Sequence, residues 1–125
     1  MRKPSVLIVE DDFALRRLYA LALEDGFKVR AATNGLEALE SLVQERPDVV
    51  LTDIQMPVMD GIELLGCIRK DIGLSNLPVL VLSACDKTSL QKAGLAGANK
   101  VMEKPIDPND LYDELWQLLP TQGRH

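Results

Sequence analysis

The chain has 125 residues, two cysteines, one histidine and a formal net charge of -5. That length suits one domain with a core of its own, the Cys and His content makes neither a disulfide framework nor a metal-binding CxxC pattern, and the acidic balance argues against a nucleic-acid or anionic-membrane surface on this domain. No apolar run approaches the roughly 18 residues of a membrane span, and Val6-Leu7-Ile8-Val9 behind the basic Met1-Arg2-Lys3-Pro4 is too short for a signal-peptide core, so a cytoplasmic location is expected.

Five apolar strand candidates alternate with five helical patterns, without a repeat or an internal linker. The first strand is Ser5 to Glu10, followed at once by Asp11-Asp12. The first helix runs from about Phe13 to Asp25, with Leu15, Leu18, Tyr19, Ala22 and Leu23 at helical spacing and Gly26 as a C-terminal stop. The second strand, Lys28 to Ala32, is short and more polar, as suits a sheet edge. Asn34-Gly35 turns into a helix with Leu36, Leu39, Leu42 and Val43 on one face, which Pro47 ends.

The third strand, Val49-Val50-Leu51-Thr52, has no polar alternation, so it belongs at the centre of a parallel sheet covered on both faces, and Asp53 emerges at its carboxyl end. Ile54 to Met59 reads as a loop. Asp60, with Glu63 three residues on, forms a capping box for a helix over about Gly61 to Ile72. Val79 to Leu82 is another unbroken apolar strand ending at Ser83.

Asp86 to Leu95 is the weakest helix, since Thr88, Ser89 and Gly94 lower its propensity, and the easiest to shift. Lys100 to Glu103 is the fifth strand, followed by Lys104-Pro105. Asp107 as N-cap, Pro108 at the first helical position and Asp110 near the positive end start a last helix that reaches Leu119. On it Leu111, Leu115 and Leu118 form a core stripe, and Tyr112 and Trp116 a neighbouring one that either packs inward or faces a partner. Cys67 and Cys85 are expected to be buried as small apolar residues.

Strict alternation with helical crossovers predicts an α/β fold, a doubly wound parallel sheet with helices on both faces. Strand order is not set by pattern, although 2-1-3-4-5 would bring the first and third strands together at a switch point. Residues 1–125 form one domain, with about 1–4 and 120–125 as flexible ends.

Parallel strands share one polarity, so the residues after each strand meet at one edge: Glu10, Asp11 and Asp12, then Asp53, Ser83 and Lys104. Each alone is most often a turn former, a helix cap or a surface residue; together they make a site. Carboxylates this close repel one another unless a cation compensates, and oxygen donors without His or Cys suit Mg²⁺ or Mn²⁺. Aspartate can attack phosphorus to give an acyl phosphate, and Lys104 and Ser83 would neutralise and bind the group transferred.

With these residues placed, the chain resembles a response-regulator receiver domain of two-component signal transduction over nearly its whole length. The matching text is Val9-Glu10-Asp11-Asp12, the string from Asp53 through Met56-Pro57 and Met59-Asp60-Gly61, Ser83-Ala84, Gly97-Ala98 and Lys104-Pro105. The resemblance implies a flavodoxin-like (βα)5 fold of strand order 2-1-3-4-5. It implies Asp53 as the acceptor of a phosphoryl group from a sensor histidine kinase or histidine phosphotransfer protein. Asp12 would ligate Mg²⁺ directly and Asp11 through water, with the backbone carbonyl of Gln55 completing the set. Lys104, the Ser83 hydroxyl and the Ala84 N–H would bind the phosphoryl oxygens, and the Lys104-Pro105 bond would be cis.

The resemblance also implies a phosphoprotein that is not a turnover enzyme and that acts on a downstream effector through the surface of its fourth helix, fifth strand and fifth helix. Val101 stands where the family often has an aromatic switch residue, so the readout would rest on Ser83 and the fourth helix. The alternatives are a phosphatase, disfavoured because Gln55 stands where such enzymes place a second Asp, and a phosphorylation-independent scaffold, disfavoured by the intact acids and Lys104.

Overall fold

The computed structural model describes residues 2–84 and 87–120. Its elements run β1 (Ser5–Val9), α1 (Phe13–Leu23), β2 (Lys28–Ala32), α2 (Gly35–Gln44), β3 (Val49–Asp53), α3 (Gly61–Lys70), β4 (Val79–Ser83), α4 (Lys87–Leu95), β5 (Lys100–Glu103) and α5 (Pro108–Leu118). The five strands form one parallel sheet in the order β2-β1-β3-β4-β5. The apolar β3 and β4 are buried along their whole length, while the polar strands β2 and β5 take the two edges.

Alternation along the strands divides the core in two. Val6, Ile8, Val49, Leu51, Leu80 and Leu82 face α1 and α5, whose Tyr19, Leu23, Leu111 and Leu115 close that side. Leu7, Val9, Val50, Val79 and Val81 face α2, α3 and α4, which contribute Ala38, Leu42, Leu64, Leu65, Ile68 and Ala93. Fully burying an aliphatic side chain is worth roughly 1.5–3 kcal/mol, so these two layers hold the sheet's carboxyl edge in place.

The helix starts follow from their caps. Asn34, Asp60 and Asp107 each accept a backbone N–H of the first turn, and Asp60 and Glu63 form the reciprocal box. The ends are shorter than the periodicity predicts. α1 stops at Leu23, because the Gly26 and Phe27 N–H groups both turn back to the Leu23 carbonyl. α3 stops at Lys70, where the Asp71 N–H bonds to Ile68 O.

Cys67 is exposed, contrary to expectation, because Leu64, Leu65 and Ile68 occupy the inner stripe of α3. Cys85 lies outside the described residues, as do Met1 and residues 121–125 of the expected flexible ends. Leu36 and Val43 of α2 and Leu18 of α1 are exposed, and Ala38 takes an inner place the periodicity had not assigned. The Tyr112 and Trp116 rings pack on buried Phe27, with centroids 5.7 and 5.4 Å from it, so the aromatic stripe of α5 serves the core.

Candidate functional site

Asp53 ends β3 beside Leu82 of β4, and its side chain is 11% exposed. Its Oδ1 accepts the Ile54 N–H at 2.7 Å, and its Oδ2 lies 2.8 Å from Lys104 Nζ. The loop beyond is drawn tight. The Gly61 N–H bonds to Ile54 O at 2.7 Å, and a side chain at Gly61 would run into the Asp53 carbonyl, so only glycine lets α3 start this close. In the sequence Gly61 stood as the first residue of a helix and as the end of the matching string from Asp53, without a stated steric reason.

Lys104 arrives from the end of β5. Its backbone N–H bonds to Ser83 O at 2.7 Å, its bond to Pro105 is cis, and its half-buried ammonium reaches both Asp53 and Glu10 Oε1, the latter at 3.3 Å. Burial acts to lower the Lys104 pKa, but the hydrogen bond and charge of Asp53, with the charge of Glu10, outweigh it and leave it raised. The ammonium therefore stays charged at neutral pH.

Glu10 carries more of the site than its sequence position suggested. It is buried, it accepts the Asp12 N–H at 3.2 Å, and its own carbonyl is held by Arg16 Nη1 at 2.8 Å. Burial chiefly, and then the Asp53 charge, push its pKa from 4.5 to about 7, against the pull of the Asp12 N–H and Lys104.

Among the described residues, carboxylate oxygens of Glu10, Asp11 and Asp53 lie within 4.8 Å of one another. Asp12 is not in this group. Its Oδ1 accepts the Leu15 N–H at 3.0 Å as the N-cap of α1. Geometry thus brings Glu10 and Asp11, rather than the Asp12 expected as a direct ligand, beside Asp53. The cue was in the sequence, since an Asp immediately before a helix is first a cap. Gln55 is exposed just beyond Asp53. Three oxygen donors with no soft ligand fit a hard divalent cation.

Ser83 is buried at the end of β4, and its hydroxyl donates to Ala84 O at 2.8 Å. Ala84 is exposed beside Lys104, where both line a pocket of about 380 Å³ with Leu15, Leu18, Tyr19, Pro105 and Ile106. Val101 is partly buried against the α2, α3 and α4 side of the core. No helix among the described residues is long and apolar enough to cross a membrane.

Comparison with known proteins agrees with this geometry. The family model "Response regulator receiver domain" matches residues 6–115. Response regulator MprA of Mycobacterium sp. (strain KMS) is 38% identical over 124 residues, covering 94% of this chain and 53% of that protein. Thus the chain spans about half the length of the curated relatives it matches. Among solved structures, chemotaxis protein CheY4 of Vibrio cholerae superposes with a TM-score of 0.87 at 30% identity, covering 94% of this chain and all of that one. The signal receiver domain of a histidine kinase from Syntrophus aciditrophicus gives 0.90 at 29%, covering 98% and 94%. Sheet order, helices and sequence agree, and the chain belongs to the response regulator receiver domain family of two-component systems, signalling modules rather than turnover enzymes.

Proposed function

We propose that Asp53 accepts a phosphoryl group from a phosphohistidine donor, a sensor histidine kinase or a histidine phosphotransfer protein. An Asp53 oxygen forms the new O–P bond while the P–N bond breaks, and its electron pair leaves with the imidazole nitrogen. The observation that carries this reading is the placement of Asp53, nearly buried at the end of a central strand, with an ammonium 2.8 Å away and two further carboxylates beside it.

Glu10, Asp11 and Asp53 would hold Mg²⁺ or Mn²⁺, with the Gln55 carbonyl as a further oxygen donor. The cation supplies charge neutralisation for the phosphoryl oxygens. Lys104 binds one of those oxygens and loses nothing by doing so, since it exchanges one anionic partner for another. The Ser83 hydroxyl turns from Ala84 O toward the group, and the Ala84 N–H adds a donor. The change at Ser83 and Ala84 passes to α4 and to the surface it forms with β5 and α5, which addresses a downstream effector.

The test is to incubate the chain with a small phosphodonor and Mg²⁺, reduce the acyl phosphate with borohydride, and locate the modified residue by peptide sequencing. Modification at position 53 supports the reading. Modification elsewhere, or none, overturns it.

A further inference from the structure

β1 ends at Val9, so the carbonyls of Glu10 and Asp11 lie past the ladder of the sheet, in the turn that carries two of the three clustered carboxylates. One side chain reaches both. Arg16, in the first turn of α1, donates from Nη1 to Glu10 O at 2.8 Å and, more weakly, to Asp11 O at 3.4 Å. Its own backbone N–H bonds to Asp12 O at 2.9 Å, so main chain and side chain together fix it to the turn.

The guanidinium is half-buried, and the Phe13 ring lies against it with its centroid 5.5 Å from Arg16 Cζ. Phe13 is 68% exposed and belongs to neither core layer. What this ring covers is the guanidinium, a contact that holds the cation on the turn.

Glu10 is held from every side as a result. Its N–H bonds to Ala32 O at 3.1 Å, its carbonyl takes Arg16, its Oε2 accepts the Asp12 N–H at 3.2 Å and its Oε1 faces Lys104. Asp11 is exposed, and Arg16 ties its carbonyl to that of Glu10.

The charge of Arg16 does not explain its place. A cation beside a cation site weakens metal binding by Coulomb repulsion, so a purely electrostatic account would have the site better off without it. The carbonyls it grips do explain it, because a charge-assisted bond to each removes the freedom of the turn that bears the carboxylates.

We propose that Arg16 is a positioning residue for the cation site: its grip on the Glu10 and Asp11 carbonyls sets their two carboxylates at the spacing that Mg²⁺ demands. This rests on the cation site proposed above and adds selectivity to it. Mg²⁺ requires near-ideal octahedral geometry at about 2.0–2.1 Å, whereas Ca²⁺ accepts looser cages at about 2.3–2.6 Å, so a firmly held turn favours the smaller ion and a loosened one gives that preference up.

The experiment is calorimetric titration of the whole chain with Mg²⁺ and with Ca²⁺, repeated on Arg16→Met and Arg16→Lys, with urea melts to show that each variant is folded and the carbonyl ¹³C resonances of residues 9–11 recorded without metal. Arg16→Met is expected to weaken Mg²⁺ binding by about tenfold and Ca²⁺ binding by less than about threefold, the size of loss that follows removal of a contact behind metal ligands. The Glu10 and Asp11 carbonyl resonances move upfield as they lose a charged donor, while that of Val9 stays in place. Arg16→Lys, which keeps the charge on a shorter stem, weakens Mg²⁺ by about threefold and decides the matter if Arg16→Met does not fold. Unchanged or tighter Mg²⁺ binding in the folded variants, or an equal loss for both ions, overturns the positioning role and leaves the cation site standing. An unmodified chain that binds no Mg²⁺ overturns the cation site and the role of Arg16 with it.

Discussion

The Lys104 ammonium reaches Asp53 across the carboxyl edge of the sheet, Nζ to Oδ2 at 2.8 Å, while the same ammonium lies 3.3 Å from Glu10. One cation thus serves two carboxylates, and in the proposed phosphotransfer it would meet a phosphoryl oxygen. Lys104→Met is expected to slow phosphorylation by a small donor by on the order of 100-fold, the usual cost of losing one preorganised charge. Rates of phosphoprotein formation at saturating Mg²⁺ check this.

Glu10 sets a pH dependence. Its folded pKa, raised mainly by burial to about 7, lies above its ordinary 4.5, so the folded state holds a proton that the unfolded chain gives up. Its contribution to stability is fully present below about pH 4.5 and is lost as pH rises through about 7. In EDTA, the melting temperature is expected to fall across this window. Glu10→Gln, which cannot titrate, should flatten the fall, and thermal melts from pH 4.5 to 8 compare the two.

The proposed site gives the neighbouring Asp11 and Asp12 different roles. Asp12→Ala removes the N-cap of α1 and should cost about 1 kcal/mol of stability in urea, with Mg²⁺ affinity changed by less than about threefold. Asp11→Asn should do the reverse, lowering Mg²⁺ affinity by about tenfold or more with little effect on stability. Paired urea melts and metal titrations decide between this assignment and the one suggested by the sequence.

Much of the fold was legible because it depends on local signals. The unbroken run Val49 to Thr52 announced a central strand, and Asp60 with Glu63 announced the start of α3, and both stand where they were expected. The sheet edge that gathers Glu10, Asp11, Asp53, Ser83 and Lys104 followed from strand polarity alone.

What was not legible depends on choices between neighbours or on distant contacts. Which of three consecutive acids turns inward is set by where β1 ends and α1 begins, and that placed Asp12 on the helix cap. Whether Tyr112 and Trp116 face a partner or the core was settled by Phe27, far away in the sequence. The partners of Arg69 were invisible, because they are backbone oxygens and one Asn that only the folded chain brings to it.

Val58 carries strain at the rim of the site. Its φ is 71°, in the left-handed region that a β-branched residue avoids, and the residue is 75% exposed, so packing does not compensate. The loop holds it there through the Met59 N–H to Pro57 O and the Gly35 N–H to Met59 O. Val58→Gly should raise stability by about 1 kcal/mol, read as a shift of the urea midpoint at unchanged slope.

The central claim is that one residue, Asp53, receives the phosphoryl group. Intact mass spectrometry of the chain and of Asp53→Asn, after a small phosphodonor and Mg²⁺, tests it most directly. The account predicts one added phosphoryl group on the unmodified chain and none on the variant; equal labelling of both would contradict it.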